Sequence, residues 1–397
     1  MRLRILFINH ITARGGGEIA LLKTIRQLDK ERFDIIVALP SAQGMVPEEL
    51  AKIPKVRVQV VASDPTMIKA SRFDAFTTLL RHPGVILAVF ATVKQYVQVI
   101  RAEAIDLVFT NTVKSDYYGA LAAWLARRPS VWYMHDFVDQ HYFPGWVRGS
   151  LVLFANLFAT TIFCNSNATR MSLIKAGVNG RKLETIYPPA IDGSQPREPV
   201  NIRAELALSP TTRLVTMVGR ITRPKGQVEF VRAAKLVLAV KSDVVFLIVG
   251  DSVAGSFDDT YKAELEREVR AMNDPRIRML GMRHDVLGIV AESDSVVFPS
   301  LWPEGFGLAV AEAMELGRPV IATTTGGTAE MIEDGVTGLR VTPYDVAGLS
   351  RAICHLLDHP EQAEKLGAAG HQRIRHLLSS RNIDQLQQTL ERIGLAR

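Results

Sequence analysis

The sequence predicts two doubly wound α/β domains in tandem, and three observations predict it. A chain of 397 residues exceeds what one hydrophobic core usually holds, so two domains are expected. Apolar runs recur along both halves as nearly continuous Ile/Val/Leu stretches, the pattern of parallel strands covered on both faces. Helical patterns fill the gaps between those runs, which is the alternation that builds a parallel sheet with helices on its two sides.

In the N-terminal half, strands are expected at 3–9, 34–39, 56–61, 105–110, 130–135, 160–165 and 183–187, with helices at 17–30, 85–102 and 115–126 between them. The pattern breaks around Pro188-Pro189. Proline, glycine and charge then dominate as far as Pro210, a linker with one short helix at 200–206. A second series follows, with strands at 213–219, 244–250, 276–281, 295–298, 319–322 and 338–341, and from Asp345 the tail is helical. The expected domains are 1–190 and 191–378, followed by a last helix within 379–397. Sheets of this kind bind ligands beyond the carboxyl ends of their strands, so the expected site is a cleft that the two domains face.

Composition narrows the class. Hydrophobic residues make up 47% and charged residues 22%, a globular balance. The formal charge of +6 suggests an anionic partner: nucleotide phosphate, nucleic acid or acidic lipid. No Lys/Arg block or zinc spacing points to nucleic acid. The two cysteines, Cys164 in an apolar strand and Cys354 on a helix, fit reduced core thiols. The opening Met1–Asn9 is too short and ends too polar for a signal peptide, and reads as a first buried strand. The longest apolar run, 149–164, carries Asn156 and falls short of the ~20 residues a spanning helix needs.

The stretch Ser300-Leu-Trp-Pro-Glu304-Gly305-Phe306-Gly307-Leu308-Ala-Val-Ala-Glu312 leads from a strand end through a Pro/Gly turn into an Ala-rich helix. Backbone N–H groups of Gly305, Phe306 and Gly307 gather there at a helix N-terminus, where an anion is favoured. Glu304 on the loop and Glu312 about two turns down the helix could grip two hydroxyl groups of one elongated ligand. The plainer alternative is a strand–turn–helix unit with two solvated carboxylates.

Three further turns carry chemistry. Gly219-Arg220 ends the first strand of the second half, and Lys225-Gly226 opens the next helix. Two cations beside one N–H cluster suit a diphosphate, Arg clamping two oxygens and Lys acting as a point charge. Solvated surface charges are the plainer reading. Gly15-Gly16-Gly17 follows the first strand, where a backbone can approach a ligand closely, although it matches neither G-x-G-x-x-G nor the Walker pattern. His135-Asp136 stands at another strand end. A single His there suits a hydrogen-bond donor to phosphate or sugar better than a metal ligand, and His135 and His141 lack helical spacing. Thr324-Thr-Gly326-Gly327 and Glu330 form one more strand-to-helix turn. The absence of Asp-x-Asp weakens any scheme in which a divalent ion bridges a diphosphate.

Together, Gly219-Arg220 with Lys225-Gly226, Glu304-Gly-Phe-Gly-Leu-Ala-Val-Ala-Glu312, and Gly326-Gly327 with Glu330 resemble the retaining glycosyltransferases of family four, group 1 enzymes of the GT-B fold with two Rossmann-like domains. The resemblance spans essentially the whole chain. It implies that Arg220 and Lys225 hold the diphosphate of a nucleotide sugar, UDP- or GDP-linked, and that Glu312 takes the ribose hydroxyls. Glu304, with the backbone of Phe306–Leu308, engages the transferred sugar, and Gly16 and Gly17 approach from the other domain. His135 faces the sugar or acceptor, and Gly250 and Arg283 lie near the base. It further implies retention at the anomeric carbon, no metal or other cofactor, and a last helix crossing back to the first domain. The expected role is polysaccharide biosynthesis in the cytoplasm, with a glycan or lipid-linked acceptor and no nucleic acid. A sugar-nucleotide epimerase of the same fold and a non-catalytic nucleotide-sugar binder are the alternatives. Pro188-Pro189 departs from the Asn-Gly-type turn of many relatives.

The acceptor side is expected in the first domain. Arg72, Arg81 and Lys94 interleave with Phe73, Phe76, Leu79, Leu80, Ile86, Leu87, Val89 and Phe90, and Trp146, Val147, Leu151 and Phe154 follow. Basic residues among large apolar ones suit an anionic membrane surface; ordinary amphipathic core helices are the alternative.

Overall fold

The structure, a computed structural model, describes residues 2–13, 15–62, 84–189, 200–252 and 258–395. Arg72, Arg81, Phe73, Phe76, Leu79 and Leu80 lie outside them, as do residues 190–199 of the expected linker. The chain divides into two compact units, Met1–Ala190 with Leu378–Arg397, and Ile191–Leu377.

Unit 1 runs β1 (Leu3–Ile8), α1 (Gly16–Gln27), β2 (Phe33–Leu39), α2 (Met45–Ala51), β3 (Val56–Val60), α3 (Gly84–Ala102), β4 (Leu107–Thr110), α4 (Val113–Leu125), β5 (Ser130–Met134), α5 (Gly145–Phe158), β6 (Thr161–Cys164), α6 (Asn167–Ala176) and β7 (Leu183–Thr185). Its seven strands lie in the order β3-β2-β1-β4-β5-β6-β7, and every pairing is parallel. The apolar run 149–164 is divided between the end of α5 and β6.

Alternation along each strand feeds two cores. Ile5, Phe7, Phe109 and Tyr133 face α1 and the last helix. Leu6, Ile8 and Val108 face α3 and α4, and Trp132 and Met134 continue that face against α5. The last helix (Ser380–Leu395) is amphipathic: Ile383, Leu386 and Leu390 are buried at a spacing of three and four, on one stripe. It is pinned at its rim, where Arg32 donates to both oxygens of Glu391 at 2.8 and 2.6 Å and Asp29 N donates to Gln387 at 2.8 Å.

Unit 2 runs α7 (Ile202–Glu205), β8 (Arg213–Val218), α8 (Gln227–Leu238), β9 (Val244–Val249), α9 (Asp258–Met272), β10 (Ile277–Gly281), α10 (Val286–Glu292), β11 (Ser295–Phe298), α11 (Leu308–Glu315), β12 (Val320–Thr323), α12 (Thr328–Met331), β13 (Leu339–Val341), α13 (Val346–Asp358) and α14 (Pro360–Leu377); the last helix of unit 1 is then α15. Its six strands lie in the order β10-β9-β8-β11-β12-β13, again all parallel. Both sheets therefore run outward in both directions from a first strand, the doubly wound Rossmann-like order. The switch points lie between β1 and β4 and between β8 and β11.

Candidate functional site

In unit 2, the residues singled out by sequence gather at the carboxyl edge of the sheet, around its switch point. β8 ends at Val218 and delivers Gly219-Arg220, while β11 ends at Phe298 and delivers Pro299, Ser300 and the Glu304 loop. The two turns are locked together at Gly226, which has φ +76°; a Cβ there would lie 2.2 Å from the Pro299 carbonyl oxygen. Leu301 N donates to Pro224 O at 2.7 Å across the same seam. Only glycine permits that approach, and it carries Lys225 to Glu304.

Lys225 Nζ donates to Glu304 Oε2 at 2.6 Å, and Ser300 Oγ donates to the other carboxylate oxygen. The side chains are 32% and 14% exposed. Burial pushes the Glu304 carboxyl upward, but the Lys225 charge and the hydrogen bonds from Lys225 and Ser300 outweigh it and hold it below the usual range. Glu304 is thus an anion at neutral pH, with a cation at its edge.

The Glu304 backbone is fixed by the next turn. Gly327 N donates to Glu304 O at 2.8 Å, and Gly326, at φ +70°, would place a Cβ 2.1 Å from that same oxygen. Threonine hydroxyls tie the turn down: Thr323 Oγ1 donates to Ser300 O at 2.6 Å, and Thr328 Oγ1 to Thr323 O at 3.0 Å and Thr325 O at 2.9 Å. Phe306 is buried, Gly307 caps α11, and Glu312 is half-buried on the second turn of that helix.

Arg220 is exposed, and no ion pair to it occurs among the described residues; its carbonyl accepts from Gln227 Nε2 at 2.9 Å. Gly250 and Arg283 stand on the other side of β8, at the ends of β9 and β10. The Arg283 guanidinium is engaged by Glu205 at 2.6 and 2.9 Å and by Asp285 at 2.8 and 2.6 Å. Those carboxylates raise its pKa further.

Unit 1 gathers a separate polar cluster at its own switch point. α1 begins at Gly16, capped by Gly15. Asn111, just past β4, donates through Nδ2 to Asn9 Oδ1 and to Gly17 O, both at 3.1 Å. Its Oδ1 is therefore the acceptor facing His135 Nε2 at 2.9 Å, so that nitrogen carries the proton. Burial lowers the His135 pKa to about 4, against the pull of Asp136. At neutral pH the imidazole is uncharged with Nδ1 as its bare lone pair, so it offers a ligand an acceptor rather than the donor expected from sequence. His141 pairs with Asp139 at 3.0 Å. Among the described residues no group of three His, Cys, Asp or Glu side chains is placed to hold a metal.

Ser300, Asn9 and Asn111 were not singled out by sequence. Their positions immediately beyond strand ends were the one signal available.

Two family models match the chain: Glycosyltransferase Family 4 over residues 14–191 and Glycosyl transferases group 1 over 212–359. The UDP-Gal:alpha-D-GlcNAc-diphosphoundecaprenol alpha-1,3-galactosyltransferase of Escherichia coli is 28% identical over 300 residues, covering 71% of this chain and 73% of that protein. The alpha-maltose-1-phosphate synthase of Mycobacterium tuberculosis is 30% identical over 304 residues, 68% of this chain and 75% of that one. Among solved structures, Anabaena Alr3699/HepE in complex with UDP-glucose superposes with a TM-score of 0.82 at 26% identity, over 98% of this chain and 100% of that one. On this evidence the chain is an enzyme of glycosyltransferase family 4, one of the group 1 glycosyl transferases with the GT-B fold.

Proposed function

We propose that the protein transfers a hexosyl group from a nucleotide-diphosphate sugar, UDP-linked in the first instance, to a glycan or lipid-linked acceptor, with retention at the anomeric carbon. The observation that carries this reading is the Lys225–Glu304 pair, with Arg220 beside it, at the switch point of unit 2. In a retaining transfer the bond from the anomeric carbon to the diphosphate breaks, and charge builds on the departing oxygens. Arg220, Lys225 and the N–H groups of Gly305, Phe306 and Gly307 are the groups assigned to receive that charge. Lys225 has three donors and spends one on Glu304, which leaves two for phosphate oxygens.

Glu304, kept ionised, is assigned to a sugar hydroxyl, and Glu312 to the ribose. Gly250 and the Arg283 backbone are assigned to the base. Gly16, Gly17 and His135 take the sugar and acceptor side, with His135 Nδ1 accepting from a hydroxyl. The charge on the leaving group is handled by side chains and helix N-termini, so turnover is proposed to need no metal. Support for the UDP choice comes from the named relatives, one acting on a diphosphoundecaprenol-linked sugar with UDP-Gal and one bound to UDP-glucose. The proposed setting is polysaccharide assembly in the cytoplasm, at the inner membrane face when the acceptor is lipid-linked.

A thermal-shift screen of UDP-, GDP-, ADP- and TDP-sugars tests this reading, because a ligand bound only by the folded state raises stability by mass action. Stabilisation by a UDP-sugar, unchanged by EDTA, is expected. No shift with any nucleotide sugar would refute the reading.

A further inference from the structure

The helices covering one sheet face of unit 1 split the apolar residues noted in the sequence into two sets. Val147 and Leu151 of α5 are buried against Trp132 and Ile162, as core helices require. Val93, Tyr96 and Ile100 of α3 are buried in the same way. The outward set is different: Leu87, Phe90, Trp124, Trp146, Leu153 and Leu157 are 72%, 61%, 58%, 49%, 56% and 61% exposed. α4 packs against both α3 and α5, and the Trp124 and Phe158 rings meet edge-on at 5.6 Å. The three helices therefore form one contiguous layer with large apolar side chains on its outer side.

The exposed charge on these helices has one sign, and Glu103, just past α3, is paired with Arg57 at 2.8 Å. α3 and α5 carry Lys94, Arg101 and Arg148 and no Asp or Glu, and the single acid of α4, Asp116, is buried. Arg127 follows α4 on the surface. None of these four cations makes an ion pair among the described residues. Exposed Trp and Leu interleaved with unpaired Lys and Arg match an anionic bilayer, which takes apolar side chains at its acyl boundary and cations at its headgroups. A second copy of this chain would set like charges against each other. No described helix is long and apolar enough to cross a membrane, so contact here is with a surface.

The layer also has a direction. α3 ends beside the amino end of β1, where Arg4 Nη1 donates to Glu103 O at 3.2 Å. Its other end, with Leu87 and Phe90, thus lies toward the carboxyl edge of the sheet, about 28 Å away by helix rise. Trp146 at the start of α5 is on that edge too, the edge that carries Asn111 and His135.

We propose that the outer face of α3, α4 and α5 docks on an anionic lipid bilayer, with the polar cluster of unit 1 beside the headgroups. This deepens the lipid-linked acceptor reading and rests on it for its purpose, but its test is independent of turnover.

The full chain is floated with phosphatidylcholine vesicles, with and without about 30 mol% phosphatidylglycerol, a leaflet-like anionic fraction. Co-flotation is expected only with the anionic vesicles at low salt. Lys94→Gln/Arg127→Gln should weaken partitioning about 30-fold, at about 1 kcal/mol per basic residue. Trp124→Gln/Leu157→Gln should weaken it about 10-fold or more through lost apolar contact. Circular dichroism and an unchanged UDP-sugar thermal shift establish that both variants are folded and still bind donor. Wild-type protein that stays with the soluble fraction at low salt would overturn the proposal, as would folded variants that float like wild type. A dimer in sedimentation that Trp124→Gln/Leu157→Gln dissolves would assign the face to a second copy and overturn it as well. A donor-induced thermal shift without flotation would leave the donor reading standing and remove only the docking face.

Discussion

Lys225→Ala tests the chemistry of the unit 2 site through stability as well as turnover. The substitution removes the cation that touches Glu304, whose side chain is 14% exposed, and leaves Ser300 as its side-chain partner among the described residues. Breaking such a pair by deleting one member costs about 3–5 kcal/mol, because a buried charge loses its compensation. The carboxylate has an escape, however: it can take a proton. Protonation at pH 7 lies about 2.7 pH units above the ordinary Glu value, so at about 1.4 kcal/mol per unit the charge penalty is capped at about 4 kcal/mol.

The cap shrinks with pH, to about 2 kcal/mol near pH 5.7, and it vanishes near the ordinary Glu value. The sign follows from Glu304 in the wild type. Its folded pKa is depressed, so the stability it contributes is present above the unfolded Glu pKa and is lost as pH falls through the folded value. Urea unfolding of wild type and Lys225→Ala across pH 4–7 should therefore show a gap of about 2–4 kcal/mol at neutral pH that closes toward pH 4. Adding Glu304→Gln to Lys225→Ala should recover most of the loss. Turnover should fall at least ~100-fold in Lys225→Ala, the scale of one charge-stabilising donor. A gap absent at pH 7, or one that does not change with pH, would refute the reasoning.

Other expectations follow from the same geometry. Arg220→Ala should leave the unfolding free energy within about 0.5 kcal/mol of wild type, because the side chain is exposed and unpaired among the described residues, yet it should weaken UDP-sugar binding in calorimetry. Gly326→Ala forces a left-handed φ on a side chain and a Cβ against Glu304 O; a loss of about 1–3 kcal/mol and most of the turnover should be measured together. For His135, a folded pKa of about 4 means that the unfolded chain binds a proton the folded one refuses as pH falls below about 6.5. The His135 contribution should thus fall by up to about 3 kcal/mol between pH 6.5 and 4, read as a wild-type loss relative to His135→Gln over that window.

The fold was legible because its strands are buried on both faces, so runs such as Val244–Val249 need no partner to be recognised. The α15 stripe was legible from a different signal, helical period, with Ile383, Leu386 and Leu390 in register on one face. What the sequence left hidden is pairing between polar residues of ordinary type. Glu205 and Arg283 are 78 positions apart, and nothing local announces that they meet. The Asn9–Asn111–His135 bracket joins three different strand ends, and it decides which imidazole nitrogen holds the proton. Asp116, near the start of α4, is buried against Thr110, and burial pushes its pKa well up. Such features depend on sheet order, which spacing along one chain does not encode.

A crystal structure of the protein with a UDP-sugar bound tests the central claim most directly. Diphosphate oxygens are expected within hydrogen-bond distance of the Arg220 guanidinium and Lys225 Nζ, with the ribose on Glu312. A nucleotide seated away from the carboxyl edge of the unit 2 sheet, with Lys225 and Glu304 paired only to each other, would contradict it.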